Sequence, residues 1–258
     1  MHKLAYHPGS GVLHQLYPLN KLVWLVLGSI LVFVVSNGAL LISITALLFL
    51  ILLFVYPAIW RVRGFRFASL TGLFLFLLYL LFDKSGAVIW DPWLPLFRLT
   101  LGGLTAGMRF SGRFLSIVCL SYLFVLTTEP ADLAYSLMRA GLPYRFGFML
   151  VTALRLAPIL EEEGRTIYQA QLVRGIQYDR RGIGNIITLS QQFLTPLLIG
   201  ALRRADKLVF SMEGRGFGQY PGRTFRRQKS PTSLDVVFNF LMIVLSGIAL
   251  FINFGGEI

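Results

Sequence analysis

The sequence predicts an all-α integral membrane protein with about five transmembrane helices and a cytoplasmic helical region between the fourth and the fifth. Three observations carry this. Of 258 residues, 55% are hydrophobic and 14% charged, where a soluble domain carries about 25% charged residues. Mean hydropathy is +0.68. The remaining charge is lopsided: 24 Lys and Arg stand against 12 Asp and Glu, for a net charge of +12. In a soluble chain that excess would point to nucleic acid. In one this apolar it marks loops held on the cytoplasmic side, and the hydropathy excludes nucleic acid.

The spans follow from length, since about 20 largely apolar residues cross the hydrocarbon as a helix. Leu22 to Trp60 are 39 residues without a charge, interrupted by Ser36-Asn37-Gly38. That is two spans, about 22–36 and 39–57, joined by a turn at Asn-Gly. A third run, 67–82, lies between Arg66 and Asp83, short enough that Arg66 must snorkel. A fourth covers 113–128. The fifth lies in 234–258, where Val236 to Gly256 are uncharged. Met1 to Tyr17 hold all three histidines and no apolar core, which does not read as a cleaved signal peptide. The single Cys119 sits in an apolar run and reads as a buried structural thiol. Trp90 and Trp93 beside Asp83 and Asp91 read as an interfacial aromatic belt on the external 83–113 segment. Arg109 and Arg113 flank the fourth run and are expected to face the aqueous interface.

With these spans and a cytoplasmic N-terminus, the inside segments carry 20 Lys and Arg and the outside segments 4. The positive-inside rule therefore puts the chain in the cell membrane with its N-terminus inside. The organisation expected is a membrane region over 1–128, cytoplasmic helices over 129–233 and a terminal span over 234–258.

Residues 129–233 carry the functional signal. Pro130, with Glu129 and Asp132, suits the first turn of a short helix that Gly141-Leu142-Pro143 ends. A long helix runs from about Phe146 towards Val173. The runs 146–160, with Arg155 and Pro158, and 183–202, rich in Asn, Thr, Ser and Gln, read as amphipathic helices on or beside the membrane. Glu161-Glu162-Glu163 point three ways around a helix and read as a solvated face. A further helix carries Leu198, Leu202, Ala205, Val209 and Met212 as one apolar stripe. The two longer helices finish alike, at Val173-Arg174-Gly175 and Gly214-Arg215-Gly216. Glycine turns the chain away and leaves an arginine at the helix tip. Taken singly, each arginine complements its own helix dipole. As a pair on one side of the membrane, they suit bidentate contacts with carboxylates of a partner protein.

These residues resemble the transmembrane T component of energy-coupling factor transporters, a branch of the ABC importers. The resemblance runs through Gly9 to Lys21, Thr127 to Leu133, Leu154 to Pro158, Ala170 to Gly175, Ala201 to Asp206 and Met212 to Phe217. It implies that the two Arg-Gly ends dock on two cytoplasmic ATPases, with Val173 and Gly214 standing where that family has alanine. It also implies a separate membrane-embedded substrate-binding subunit for vitamin or metal-ion uptake, with the stripe from Leu198 to Met212 as its contact. ATP and Mg would be bound by the ATPases and no cofactor or metal by this chain. The residues themselves favour no enzyme: no His-Glu-x-x-His, Gly-x-Ser-x-Gly or phosphate-cradling Gly-x-x-x-x-Gly-Lys-Ser/Thr sequence is present. The competing reading is a self-contained secondary carrier, or another polytopic membrane protein, without an ATPase partner.

Overall fold

The computed structural model of the chain describes residues 12–83, 85–90, 99–176, 183–217 and 232–255. Gly9 to Gly11, Asp91 and Trp93, named above, and Lys84 and Arg98, two of the four outside cations, lie outside the described residues. Among the described residues the order begins with α1 (Val12–Gln15), α2 (Pro18–Val34), α3 (Gly38–Val55), a 3-10 turn (Pro57–Arg61) and α4 (Arg63–Phe82). A small antiparallel ribbon follows, β1 (Val88–Trp90) against β2 (Leu99–Thr100). The rest is helical: α5 (Leu101–Thr127), α6 (Pro130–Arg139), α7 (Tyr144–Val173), α8 (Ile183–Glu213) and α9 (Ser233–Gly255). Among the described residues four helices are long and apolar enough to cross a membrane, at Gly38–Val55, Arg63–Phe82, Leu101–Thr127 and Ser233–Asn253. The apolar α2 has 17 residues, or about 25 Å of helix. The chain divides into two compact units, Met1–Ser136 with Lys229–Ile258, and Leu137–Gln228.

The first unit is built around α5. Lipid tails are as apolar as leucine, so helices in a bilayer associate through close packing, and small residues permit it. Gly103, Gly107 and Ser111 lie four apart along α5 and are buried. A Cβ on Gly103 would come 2.8 Å from Asp83 O, and one on Gly107 3.0 Å from Phe76 O, both on the α4 side. One on Gly112 would meet Leu41 Cβ of α3 at 3.2 Å. The Thr45 and Ser116 hydroxyls share a hydrogen bond of 2.7 Å between α3 and α5. Below these contacts Leu52, Ile59, Val62, Phe65, Cys119 and Leu126 form one buried cluster, with the Phe65 and Tyr122 rings edge-on at 5.4 Å.

α5 starts twelve residues before the span expected over 113–128, and Arg109 and Arg113 lie within the helix. Arg113 Nη2 donates to Phe33 O and Val35 O, each at 3.0 Å. These carbonyls close α2, whose last turn has no intrahelical donors for them. Arg113 is thus half-buried at that helix end. Its charge lies against a helix C-terminus, where a cation is favourable. At the far end of α4, Asp83 Oδ1 accepts from Ser85 Oγ at 2.7 Å and Ser85 N at 3.0 Å. The Ser85 hydroxyl first, then the Ser85 amide, hold the Asp83 carboxyl below its ordinary value.

α9 returns to α2 and runs parallel to it. Trp24 Nε1 donates to Asn239 Oδ1 at 2.6 Å, and Ser36 N to Asn253 Oδ1 at 2.8 Å. Both helices therefore point from the end holding Lys21 towards the end holding Arg113.

Candidate docking site on the paired helix ends

The second unit holds the end of α6 and all of α7 and α8. α7 and α8 are antiparallel. Gln171 Nε2 donates to Gln192 O at 3.1 Å near one end, and the Phe148 and Phe217 rings meet at 5.0 Å near the other. Pro158 and Pro196 lie inside the two helices without ending them. The runs 146–160 and 183–202 are thus parts of two helices of 30 and 31 residues.

Both helices stop by the same hydrogen-bond pattern. At the end of α7, Ile176 N donates to Gln171 O at 3.1 Å and Gly175 N to Leu172 O at 3.0 Å. At the end of α8, Phe217 N donates to Met212 O and Gly216 N to Glu213 O, both at 3.0 Å. This is the paired six-to-one and five-to-two closure that a left-handed residue permits. Gly175 and Gly216 supply it, with φ of 83° and 69°. Arg174 and Arg215 therefore occupy the same position of the same motif, the last before the chain turns away. Both are exposed, and among the described residues neither guanidinium has a hydrogen-bond or ionic partner. The residue before each arginine is also exposed, Val173 at 90%, and Gly214 has space beside it, with only its own Phe210 O at 3.4 Å from a built Cβ. α6 closes the same way at Gly141, but Ala140 holds the position of the arginine.

The antiparallel register sets the spacing of the two tips. Gln171 lies level with Gln192, so Arg174 stands beside the early part of α8, about 26 residues of helix from Arg215. At 1.5 Å per residue the two guanidiniums are about 40 Å apart. On the flank of α8, Leu198, Leu202, Ala205 and Val209 are exposed and Met212 is half-buried. Phe146, Met149, Leu150 and Leu154 of α7 are exposed as well. The three glutamates do not form one solvated face. Glu161 pairs with Arg165 along α7 at 2.9 Å, while Glu163 reaches Arg204 of α8 at 2.8 Å. Among the described residues no group of His, Cys, Asp and Glu could hold a metal ion.

In the first unit the opening segment proves to be a structural clasp. Asp235, 2% exposed, accepts from Tyr17 N and Thr232 N, each at 2.7 Å, and from Asn20 Nδ2 at 3.4 Å. Lys21 Nζ donates to Thr127 O at 2.8 Å, a cation on the last turn of α5. The sequence signal for Asp235 was Thr232-Ser233-Leu234-Asp235, an acidic variant of the capping box. Nothing local says that the same carboxylate also reaches the start of α2.

Compared with known proteins, residues 9–225 match the family model CbiQ, described as cobalt transport protein. The chain is similar to the energy-coupling factor transporter transmembrane protein EcfT of Bacillus subtilis (strain 168), with 30% identity covering 96% of both chains. To the protein of the same name from Bacillus selenitireducens it is 31% identical over 86% of both. To that of Listeria innocua it is 30% identical over 94% of both. With a family model matched along most of its length and relatives of this identity along nearly all of it, the chain belongs to the CbiQ/EcfT family, the transmembrane T components of energy-coupling factor transporters.

Proposed function

We propose that this chain is the transmembrane coupling subunit of an energy-coupling factor ABC importer. It carries ATP-driven motion from two cytoplasmic ATPases to a membrane-embedded substrate-binding subunit that takes up a vitamin or a metal ion. The observation that carries this reading is the twin helix end: two arginines at the same position of the same motif, exposed, about 40 Å apart on one helix pair. One arginine at a helix end is explained by its own dipole. Two such ends on one helix pair suit two copies of one acidic groove, which a pair of ATPases presents.

Arg174 and Arg215 would each form a charge-assisted, bidentate contact with an ATPase carboxylate, with Val173, Gly175, Gly214 and Gly216 shaping the approach. ATP and Mg belong to the ATPases, whose closure on ATP would draw the two ends together. The exposed stripe of Leu198, Leu202, Ala205, Val209 and Met212 would bear on the substrate subunit and pass the movement on. The chain performs no chemistry. Its N-terminus lies in the cytoplasm of a cell-membrane protein. The excess of Lys and Arg in the segments assigned to that side supports this.

The test is purification of the tagged chain from native membranes in mild detergent, with co-purifying proteins identified by mass spectrometry. Two ATP-binding cassette subunits, or two copies of one, plus a small hydrophobic protein are the expected partners. Their absence from a stable, monodisperse preparation would refute the coupling role and favour a self-contained carrier.

A further inference from the structure

Resting on that coupling role, we infer that Glu163 and Arg204 are positioning residues that set the angle at which α7 and α8 cross, and so the direction in which motion at the arginine tips is passed on. The middle of the joint between the two helices carries glycines and polar side chains. Gly164 and Gly200 lie in it: a Cβ on Gly164 would touch the Phe193 ring at 3.4 Å, and one on Gly200 would run into Glu163 Oε1. The large apolar side chains nearby, Leu154 and Ile159 of α7 and Leu198 and Leu202 of α8, are exposed instead.

A helix joint filled by interlocking apolar side chains holds its angle through many shallow contacts. Here two directional polar contacts are added to them. Arg204 Nη2 to Glu163 Oε2, at 2.8 Å, crosses the joint beside the glycines. Gln171 Nε2 to Gln192 O, at 3.1 Å, crosses it two turns further along α7. Gln171 is buried, whereas the ion pair is partly solvated, with side chains 39% and 27% exposed. The buried amide contact acts as the fixed point. The solvated pair can lengthen and re-form as the helices swing. A side chain at Gly200 would make the Glu163 carboxylate shift. Glu161 and Arg165 pair with each other on α7 and do not compete for Arg204.

The experiment measures the angle directly. Ala153→Cys on α7 and Ser211→Cys on α8, both exposed, are spin-labelled in a Cys119→Ser background within the full complex. Each lies about 28 Å along its helix from the Gln171–Gln192 contact, so a swing of about 20° about that point moves the labels about 10 Å apart. Distances are read by pulsed electron resonance without nucleotide, and with Mg-ATP and vanadate. The parent is expected to give a narrow distribution that shifts by several ångströms on trapping. Glu163→Arg and Arg204→Glu should each broaden it and abolish the shift while the ATPases still co-purify. The combined swap should restore both, and Glu163→Gln should fall between. A single reversal with the parent's width and shift, or a Glu163→Gln variant indistinguishable from the parent, overturns the inference. ATPases missing from the parent preparation would instead refute the coupling role. The nucleotide-free distances of the purified chain would then still show whether the pair sets the angle.

Discussion

Reversing one arginine at a time tests whether the twin helix ends act as two arms of one grip. The tips are about 40 Å apart along a helix pair, so once one arm is bound, the other meets its site at an effective concentration of roughly 6 mM, one molecule in a sphere of that radius. For an arm whose own Kd is about 10 µM, the second contact tightens binding about 600-fold, or about 4 kcal/mol. Arg174→Glu and Arg215→Glu should therefore each weaken ATPase binding by about 10²–10³-fold, and by similar factors. Each single variant should keep micromolar binding through the remaining arm, and the double variant should lose that too. The assay is the equilibrium affinity of the purified ATPase dimer for the chain held in lipid nanodiscs, at fixed ionic strength. The reasoning is refuted if one reversal leaves the affinity within threefold while the other abolishes it. Docking would then rest on a single end, and the matching geometry of α7 and α8 would carry no function.

Three further outcomes follow from the packing. Asp235→Ala removes a buried acceptor from the Tyr17 and Thr232 amides, a loss of about 3 kcal/mol. Hydrogen exchange at the start of α2 and of α9 should accelerate about 10²-fold, and unchanged exchange would show that other acceptors serve these amides. Gly103→Ala puts a Cβ 2.8 Å from Asp83 O and should cost about 1–3 kcal/mol, lowering Tm by about 2–10 °C. A dye that reacts with the buried Cys119 thiol as it becomes exposed reads this. Gly247→Ala, with nothing within 4 Å, is the control and should not lower Tm. Gly214→Ala has room for its methyl group and should stabilise the last turn of α8 by about 1 kcal/mol. ATPase affinity in that variant should be equal to or above the parent's, and a loss would mean that the partner's groove needs the bare backbone there.

The features legible from residue order alone are those that short-range physics decides. The apolar runs around α3, α4 and α9 follow from the cost of exposing backbone and charge to hydrocarbon. Arg174-Gly175 and Arg215-Gly216 were legible as helix ends because the closure spans six residues and depends on one left-handed glycine. The tertiary structure decided the rest. The start of α5 at Leu101 depends on Gly103 and Gly107 fitting against α4 and on Arg113 finding the carbonyls of α2. The triple glutamate divided because Gly200 leaves space for Glu163 to meet Arg204. Asp235 became a clasp only when α9 returned alongside α2, more than two hundred residues away in sequence. Two helix ends became a matched pair, about 40 Å apart, only through the antiparallel register of α7 and α8. Local dihedral preference can place an arginine at a helix tip, but the distance between two tips is set by which surfaces pack together, and that depends on residues far apart in the chain.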